Sequence, residues 1–229
     1  MQNIITIAVD GPAGAGKSTV AKAVAEAAGA VYLDTGAMYR AVGLYMARRG
    51  ITEPEDIVDA LKDCPLSVRF EDGAQHMYLA DEDVTGKIRS PEAAMMASRV
   101  SAIPGVRTFL VALQQDFARG HSVVMDGRDI GTVVLPDATL KIYLTASCEV
   151  RAQRRFAELQ ASGSDRTYDE VLRDIIDRDY NDSSRAASPM RPAEDAVIVD
   201  SSNLTREQVV EKVIGLVREA AAEKGVEMP

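Results

Sequence analysis

Gly11-Pro12-Ala13-Gly14-Ala15-Gly16-Lys17-Ser18-Thr19 follows directly on the apolar run Ile4 to Val9 and the single acid Asp10. The spacing is G-x-x-x-x-G-K-S, with a strand-like run before it and a helical stretch, Thr19 to Ala28, after it. Strand, glycine-rich turn and helix in that order are the context in which such a segment folds as a phosphate-binding loop. Glycines permit backbone conformations closed to other residues, so successive N–H groups converge on an anion at the positive end of the following helix. All nine residues from Gly11 to Thr19 form the predicted nucleotide site. Lys17 is expected to reach the β and γ phosphates, and the Ser18 hydroxyl to sit on Mg2+.

Four more apolar runs lie further along: Val31 to Leu33, Val123 to Met125, Leu140 to Leu144 and Val197 to Val199. None alternates with polar residues, so they read as strands buried on both faces. Amphipathic stretches such as Met38 to Arg49 and Arg206 to Glu223 intervene, which predicts an α/β fold with a parallel sheet. Four of the five runs end in an acid, at Asp10, Asp34, Asp126 and Asp200. Ligands of open parallel sheets bind beyond the carboxyl ends of the strands, so these acids are expected near a site. Asp126 is predicted to orient Mg2+ through water.

The texture changes over residues 51–90. Leu66 to Phe70 and His76 to Leu79 flank the turn-prone Glu71-Asp72-Gly73 and read as a hairpin outside the main sheet, an insert in a single domain spanning 1–229. A helical stretch from Pro91 is divided in two by Pro104-Gly105.

Composition narrows the function. The chain has 229 residues, 46% of them hydrophobic, and a formal charge of -9. The acidic balance argues against salt-driven binding to nucleic acid. No apolar run nears the roughly 20 residues that cross a bilayer, and Met1-Gln2-Asn3 lacks the basic region of a signal peptide, so a cytoplasmic protein without membrane contact is expected. Two cysteines and two histidines offer no metal-ligand spacing.

A phosphate-binding loop serves kinases, motors and switches alike. The D-x-x-G of a regulatory GTPase occurs only at Asp83 to Gly86, inside the insert, and N-K-x-D is missing, so a small-molecule kinase is favoured. Two clusters stand where an acceptor would lie: Asp34-Thr35-Gly36-Ala37-Met38-Tyr39-Arg40 and Asp126-Gly127-Arg128-Asp129-Ile130-Gly131-Thr132. Arginine outnumbers lysine 19 to 7, and residues 151–191 hold eight Arg and no Lys. Planar, always-charged forks suit phosphate better than ammonium groups do. Arg151, Arg154 and Arg155 share one helix face; Asp174, Arg178, Asp182 and Arg185 share a face of the next. With the small-residue break Ala161-Ser162-Gly163-Ser164 between them, residues 151–185 read as a lid, the alternative being a solvated surface laced with ion pairs.

These motifs together resemble the bacterial cytidylate kinases, within the nucleoside monophosphate kinase group of P-loop proteins, along essentially the whole chain. The stretches that carry the resemblance are I-T-I-A-V-D-G-P-A-G-A-G-K-S-T, Y-L-D-T-G-A-M-Y-R, M-D-G-R-D-I-G-T-V-V-L-P-D-A and S-S-R-A-A-S-P-M. It implies a five-stranded parallel sheet in the order 2-3-1-4-5, an insert that binds the monophosphate, and a lid. It implies transfer of phosphate from ATP to CMP or dCMP by a monomeric enzyme. Thr35, Arg40, Arg89, Ser98, Arg107, Arg128, Asp129, Arg178, Asp182 and Arg185 stand at family acceptor positions; Asp34 and Gly127 flank them. Catalytic charge is expected from Lys17, Arg128 and Arg185, and from Arg151 and Arg155 on lid closure. Arg107, Asp129 and Ser98 are expected to read the cytosine edge. A related kinase with another acceptor, and a P-loop binding protein without turnover, are the competing readings.

Overall fold

The computed structural model describes residues 4–226. In chain order its elements are β1 (Thr6–Asp10), α1 (Lys17–Ala27), β2 (Val31–Asp34), α2 (Thr35–Arg48), α3 (Pro54–Ala60), β3 (Leu66–Glu71), β4 (Ala74–Leu79), β5 (Glu82–Asp83), α4 (Pro91–Ser101), α5 (Pro104–Gly120), β6 (Val123–Gly127), β7 (Leu140–Thr145), α6 (Cys148–Ala161), α7 (Tyr168–Ser184), β8 (Val197–Asp200) and α8 (Arg206–Glu223). The main sheet runs β2-β6-β1-β7-β8 and the small sheet β3-β4-β5. Ranked among its own five strands, the main sheet has the order 2-3-1-4-5. β1 pairs in parallel with both β6 and β7, and β7 with β8.

The chain divides into two compact units, one running to Ala30 and resuming at Ser122, the other Val31–His121. In the first unit β1, β6 and β7 are apolar without alternation because both faces are covered, whereas the edge strand β8 departs from that expectation, with Ile198 61% exposed. Ile7, Ala8 and Val9 of β1, Val123 to Met125 of β6, and Ile142 and Leu144 of β7 are all buried. α1 contributes Val20, Ala21 and Val24 to this core, and α8 contributes Val209, Val213 and Val217 at four-residue spacing. α6 and α7 form a hairpin with a small core of their own, Ala152, Val171 and Ile175, edged by Phe156 and Tyr168 in a T-shaped contact.

Two helix starts differ from the sequence expectation. α1 begins at Lys17 because Gly16, with φ 92°, turns the chain into it without a side-chain cap. α2 begins at Thr35, not Met38, because the Asp34 side chain accepts from Ala37 N and caps it. A third difference concerns Arg185, which lies one residue past α7 in extended conformation, so it does not continue the helical face of Asp174, Arg178 and Asp182.

In the second unit α2 packs on α4, and the hairpin of β3 and β4 is antiparallel, extended by β5. The 51–90 segment lies within this unit. Gly43 is what lets α2 and α4 approach: a Cβ there would stand 2.9 Å from Met96 Cβ and 3.1 Å from the Met96 carbonyl carbon. Gly215, inside α8, has nothing within 4 Å of the same position. One substitution should therefore have opposite signs at the two sites. Gly43→Ala should destabilise the protein by about 1–3 kcal/mol through overpacking, and Gly215→Ala should stabilise it by about 0.5–1 kcal/mol through helix propensity. Urea unfolding midpoints of the two variants check this.

Candidate active site

The first unit gathers the glycine-rich loop, Lys17, Ser18 and Asp126 at the carboxyl ends of β1 and β6. Gly11, Gly14 and Gly16 all have positive φ, at 142°, 76° and 92°. The first is required by space as well, since a Cβ on Gly11 would fall 1.9 Å from the Leu144 carbonyl oxygen of β7. The loop so formed brings Lys17 into the interior at 6% exposure, its ammonium donating to the Pro12 carbonyl at 2.7 Å. Burial holds the Lys17 proton affinity well below the ordinary lysine value, and the charges of Arg128 and Arg178 lower it further, against Asp126 and Asp10. Ser18 Oγ donates to Asp126 Oδ2 at 2.8 Å.

Past β6 the chain supplies Gly127, Arg128 and Asp129. Arg128 Nε donates to Asp182 Oδ2 of α7 at 2.8 Å, and its Nη1 to the Gly127 carbonyl at 3.2 Å. Arg185 stands 3.9 Å from Asp129 and 3.8 Å from Asp182, while its Nε donates to the Ser188 carbonyl at 2.6 Å. Arg128, Asp129, Asp182 and Arg185 thus form one cluster of alternating sign, and Arg178 is close enough to act on Lys17. A π-helical turn, Ile130–Val134, follows Asp129. Such turns are frequent at functional sites.

The three helix-face arginines separate. Arg151 is buried against the loop and α7, with Nη1 on the Ala13 carbonyl and both Nη atoms on Asp179. Arg154 donates to the Ser201 hydroxyl and carbonyl. Arg155 is exposed and paired with Glu158.

The second unit holds the other half of the predicted set. Asp34 ends β2, caps α2 and pairs with Arg40 at 2.8 Å one turn and a half along. Thr35 is buried beside it. Arg107 on α5 is 4% exposed, 5.6 Å over the Tyr39 ring, and donates to the Ser101 carbonyl. Arg89 and Ser98 are exposed. No helix among the described residues is long and apolar enough to cross a membrane.

A family model described as cytidylate kinase matches residues 7–219. The chain belongs to the cytidylate kinase family. The cytidylate kinase of Caldicellulosiruptor saccharolyticus is 51% identical over 93% of this chain and 95% of its own, and that of Corynebacterium glutamicum 50% identical over 96% of each. Among solved structures, a gluconokinase from Sinorhizobium meliloti is similar with a TM-score of 0.52 at 15% identity, over 98% of this chain and 97% of that one, a likeness of fold alone.

For a cytidylate kinase, sequence reasoning leaves two connecting residues unassigned. Gln75 of β4 accepts from Asp34 N at 2.6 Å and donates to Asp34 O at 3.2 Å, tying the hairpin to the head of α2. Its place two positions past Gly73 carries no signal. Asp10 ends β1 and is legible as a strand-end acid; its carboxylate accepts from Ile130 N at 2.8 Å and Gly131 N at 2.7 Å, so it holds the turn after Asp129 and is shielded from solvent.

Burial pushes the Asp10 carboxyl up to about 6, opposed by the Gly131 and Ile130 N–H groups and reinforced by Asp129. Because the folded state keeps this proton above the ordinary Asp value of 3.8, the stability the group contributes is full below that pH and is lost as pH rises through about 6. The unfolding free energy of the unmodified protein minus that of Asp10→Asn should accordingly fall between about pH 4 and about pH 7, by up to about 3 kcal/mol. Urea denaturation of both proteins across that range checks it, and a flat difference would refute the assignment.

Proposed function

We propose that this cytidylate kinase family member transfers the γ-phosphoryl group of ATP to CMP and dCMP, giving ADP and CDP or dCDP, as a cytoplasmic monomer using Mg2+. The observation that carries the reading is the cluster at the carboxyl ends of β1 and β6, where Lys17 is buried in the glycine loop while Asp182 and Asp129 hold Arg128 and Arg185; burial lowers the Lys17 proton affinity, and the charges of Arg128 and Arg178 lower it further. Groups perturbed by burial together with named charges mark functional sites. Like charges brought together in a dry site favour an anion of high charge.

A nucleoside monophosphate is mostly a dianion at pH 7, since its second pKa is about 6. The attacking oxygen therefore needs no general base, and the obstacle is bringing two anions into line. Lys17 and the loop N–H groups of residues 11–19 hold the donor phosphates. Arg128, Arg178 and Arg185 take the acceptor phosphate, which competes for guanidinium forks that Asp182 and Asp129 otherwise orient. Within the second unit Arg40, aimed by Asp34, Thr35 and Arg89 are the acceptor-side residues. Within the second unit Arg107 and Ser98 read the base, the guanidinium donating to N3 and O2.

Ser18 and Asp126 put two hard oxygen donors side by side, and Mg2+ takes few protein oxygens, completing its shell with water and phosphate. Bound there, Mg2+ would neutralise charge on the phosphate oxygens. The hairpin of α6 and α7, with its own small core, is the lid that closes to exclude water, Arg155 being its solvent-facing charge toward the transferred group.

Lys17→Met should abolish turnover in a coupled ADP-release assay while leaving thermal unfolding near that of the unmodified protein. Arg128→Ala and Arg185→Ala should each lower kcat/KM for CMP by at least ~10²-fold, because each removes a charge-assisted hydrogen bond to phosphate in a dry site. Near-normal activity of all three would remove the phosphate assignment.

The same assay run over CMP, dCMP, UMP and AMP separates the acceptor readings. A site built to hydrogen-bond one base leaves polar groups unpaired with another, so CMP should be preferred to UMP by about 10² or more. Equal use of CMP and UMP would point to a related kinase of different acceptor; ADP release indifferent to any acceptor would point to a binding protein.

A further inference from the structure

The sequence offers Arg151 with Arg155 as lid charge for the transferred phosphoryl, and the structure engages Arg151 with the loop and α7. A guanidinium has five N–H donors, and all five of Arg151 are engaged. Nε donates to the Ala146 carbonyl at 2.9 Å; Nη1 to the Ala13 carbonyl at 3.0 Å and Asp179 Oδ1 at 3.2 Å; Nη2 to Asp179 Oδ2 at 2.5 Å and Cys148 Sγ at 3.1 Å. At 3% exposure, such a cation depends on its bonded carboxylate, and the fork of Asp179 supplies it from the neighbouring helix.

We propose that Asp179, acting through Arg151, is a positioning residue that sets the peptide planes of the phosphate-binding loop and ties them to α7. In a planar trans peptide the C=O and the following N–H point in opposite directions. Fixing the Ala13 carbonyl on Arg151 therefore fixes the Gly14 N–H the other way. A parallel brace operates two residues on: Ser201, gripped by Arg154, places its hydroxyl 3.5 Å from the Ala15 carbonyl, opposite the Gly16 N–H. Pro12 is held likewise, its carbonyl taken by Lys17. The loop is thus held at three of its carbonyls, and the N–H groups that follow Ala13 and Ala15 are turned away from their braces. Gly14 makes room for this grip, since a Cβ there would stand 3.2 Å from Arg151 Cβ.

The grip also carries information along α7. Asp179 stands next to Arg178, whose charge acts on Lys17, and three residues before Asp182, which orients Arg128. One helix therefore aims acceptor-side charge and steadies the donor loop.

The inference rests on the reading that the loop binds ATP, so its test measures binding of each substrate separately. Isothermal titration with a non-hydrolysable ATP analogue plus Mg2+, and separately with CMP, is made on the unmodified protein, Asp179→Asn, Arg151→Lys and the double variant. Asp179→Asn keeps the side-chain shape and one acceptor, and Arg151→Lys keeps the charge without the fork, so neither opens a large cavity. Each single variant should bind the ATP analogue about tenfold or more weakly, and the double no worse than the weaker single within about threefold, the non-additivity of a coupled pair. CMP affinity should change less than about threefold. A merely structural pair would lower the melting temperature and affect both ligands alike. If the unmodified protein binds the analogue and Asp179→Asn binds it equally well, or if both ligands lose equally, the inference falls alone. If the unmodified protein does not bind the analogue, the donor-site reading falls and takes the inference with it.

Discussion

Repulsion among cations in a poorly solvated place is the constraint on which the rest of the first unit is arranged. Two unit charges about 4 Å apart in surroundings of effective dielectric about 20 interact by about 4 kcal/mol, so every cation brought near Lys17 needs an acceptor of its own. The acceptors come from the loop, from the chain after β6 and from α7. Pro12 O takes Lys17, Asp182 takes Arg128, Asp129 and Asp182 flank Arg185, and Asp179 takes Arg151. The acids on α7 at 179 and 182, and the strand-end acids at 10 and 126, are the counterweights that allow the charge to be held ready. The positions of Asp10 and Asp126 follow from the parallel sheet, whose carboxyl ends converge on one rim.

The same constraint explains why the counter-charges are mostly carboxylates on neighbouring elements instead of on the arginines' own helices. A carboxylate three or four residues along one helix holds a guanidinium against the surface, as Glu158 holds Arg155. A carboxylate from another element holds it inward and couples the two elements. Asp182 does this for α7 and the chain after β6, and Asp34 for β2 and α2. A phosphate that competes for such a fork would alter how two elements are joined.

Where the determinant is local, the sequence is a good guide. Unbroken apolar runs locate all five main-sheet strands, and burial on both faces removes polar alternation from the central ones, β6, β1 and β7. The Pro104-Gly105 break locates the α4–α5 boundary, and the turn chemistry of Asp72-Gly73, both at positive φ, locates the hairpin. Wherever a partner from a distant element decides the outcome, the sequence is silent. Spacing places Arg151, Arg154 and Arg155 on one face, yet one is buried on the loop, one grips Ser201 and one faces water. Their fates differ because Asp179 and Ser201 arrive from segments 28 and 47 residues away. Gln75 and Asp10 escape notice as connectors for the same reason.

The second unit shows how the head of α2 is set by parts that share no local pattern. Asp34 must cap the helix through Ala37 N and hold Arg40 with its other oxygen, which fixes its rotamer twice over. Its backbone is in turn clasped by both ends of the Gln75 amide. The hairpin therefore acts on Arg40 at one remove, by holding the residue that aims it. Tyr39, next along α2, lies under Arg107, so α5 is tied to the same helix turn. Two arginines from helices far apart in sequence are thereby referred to a single turn of α2, and a displacement of that turn carries both.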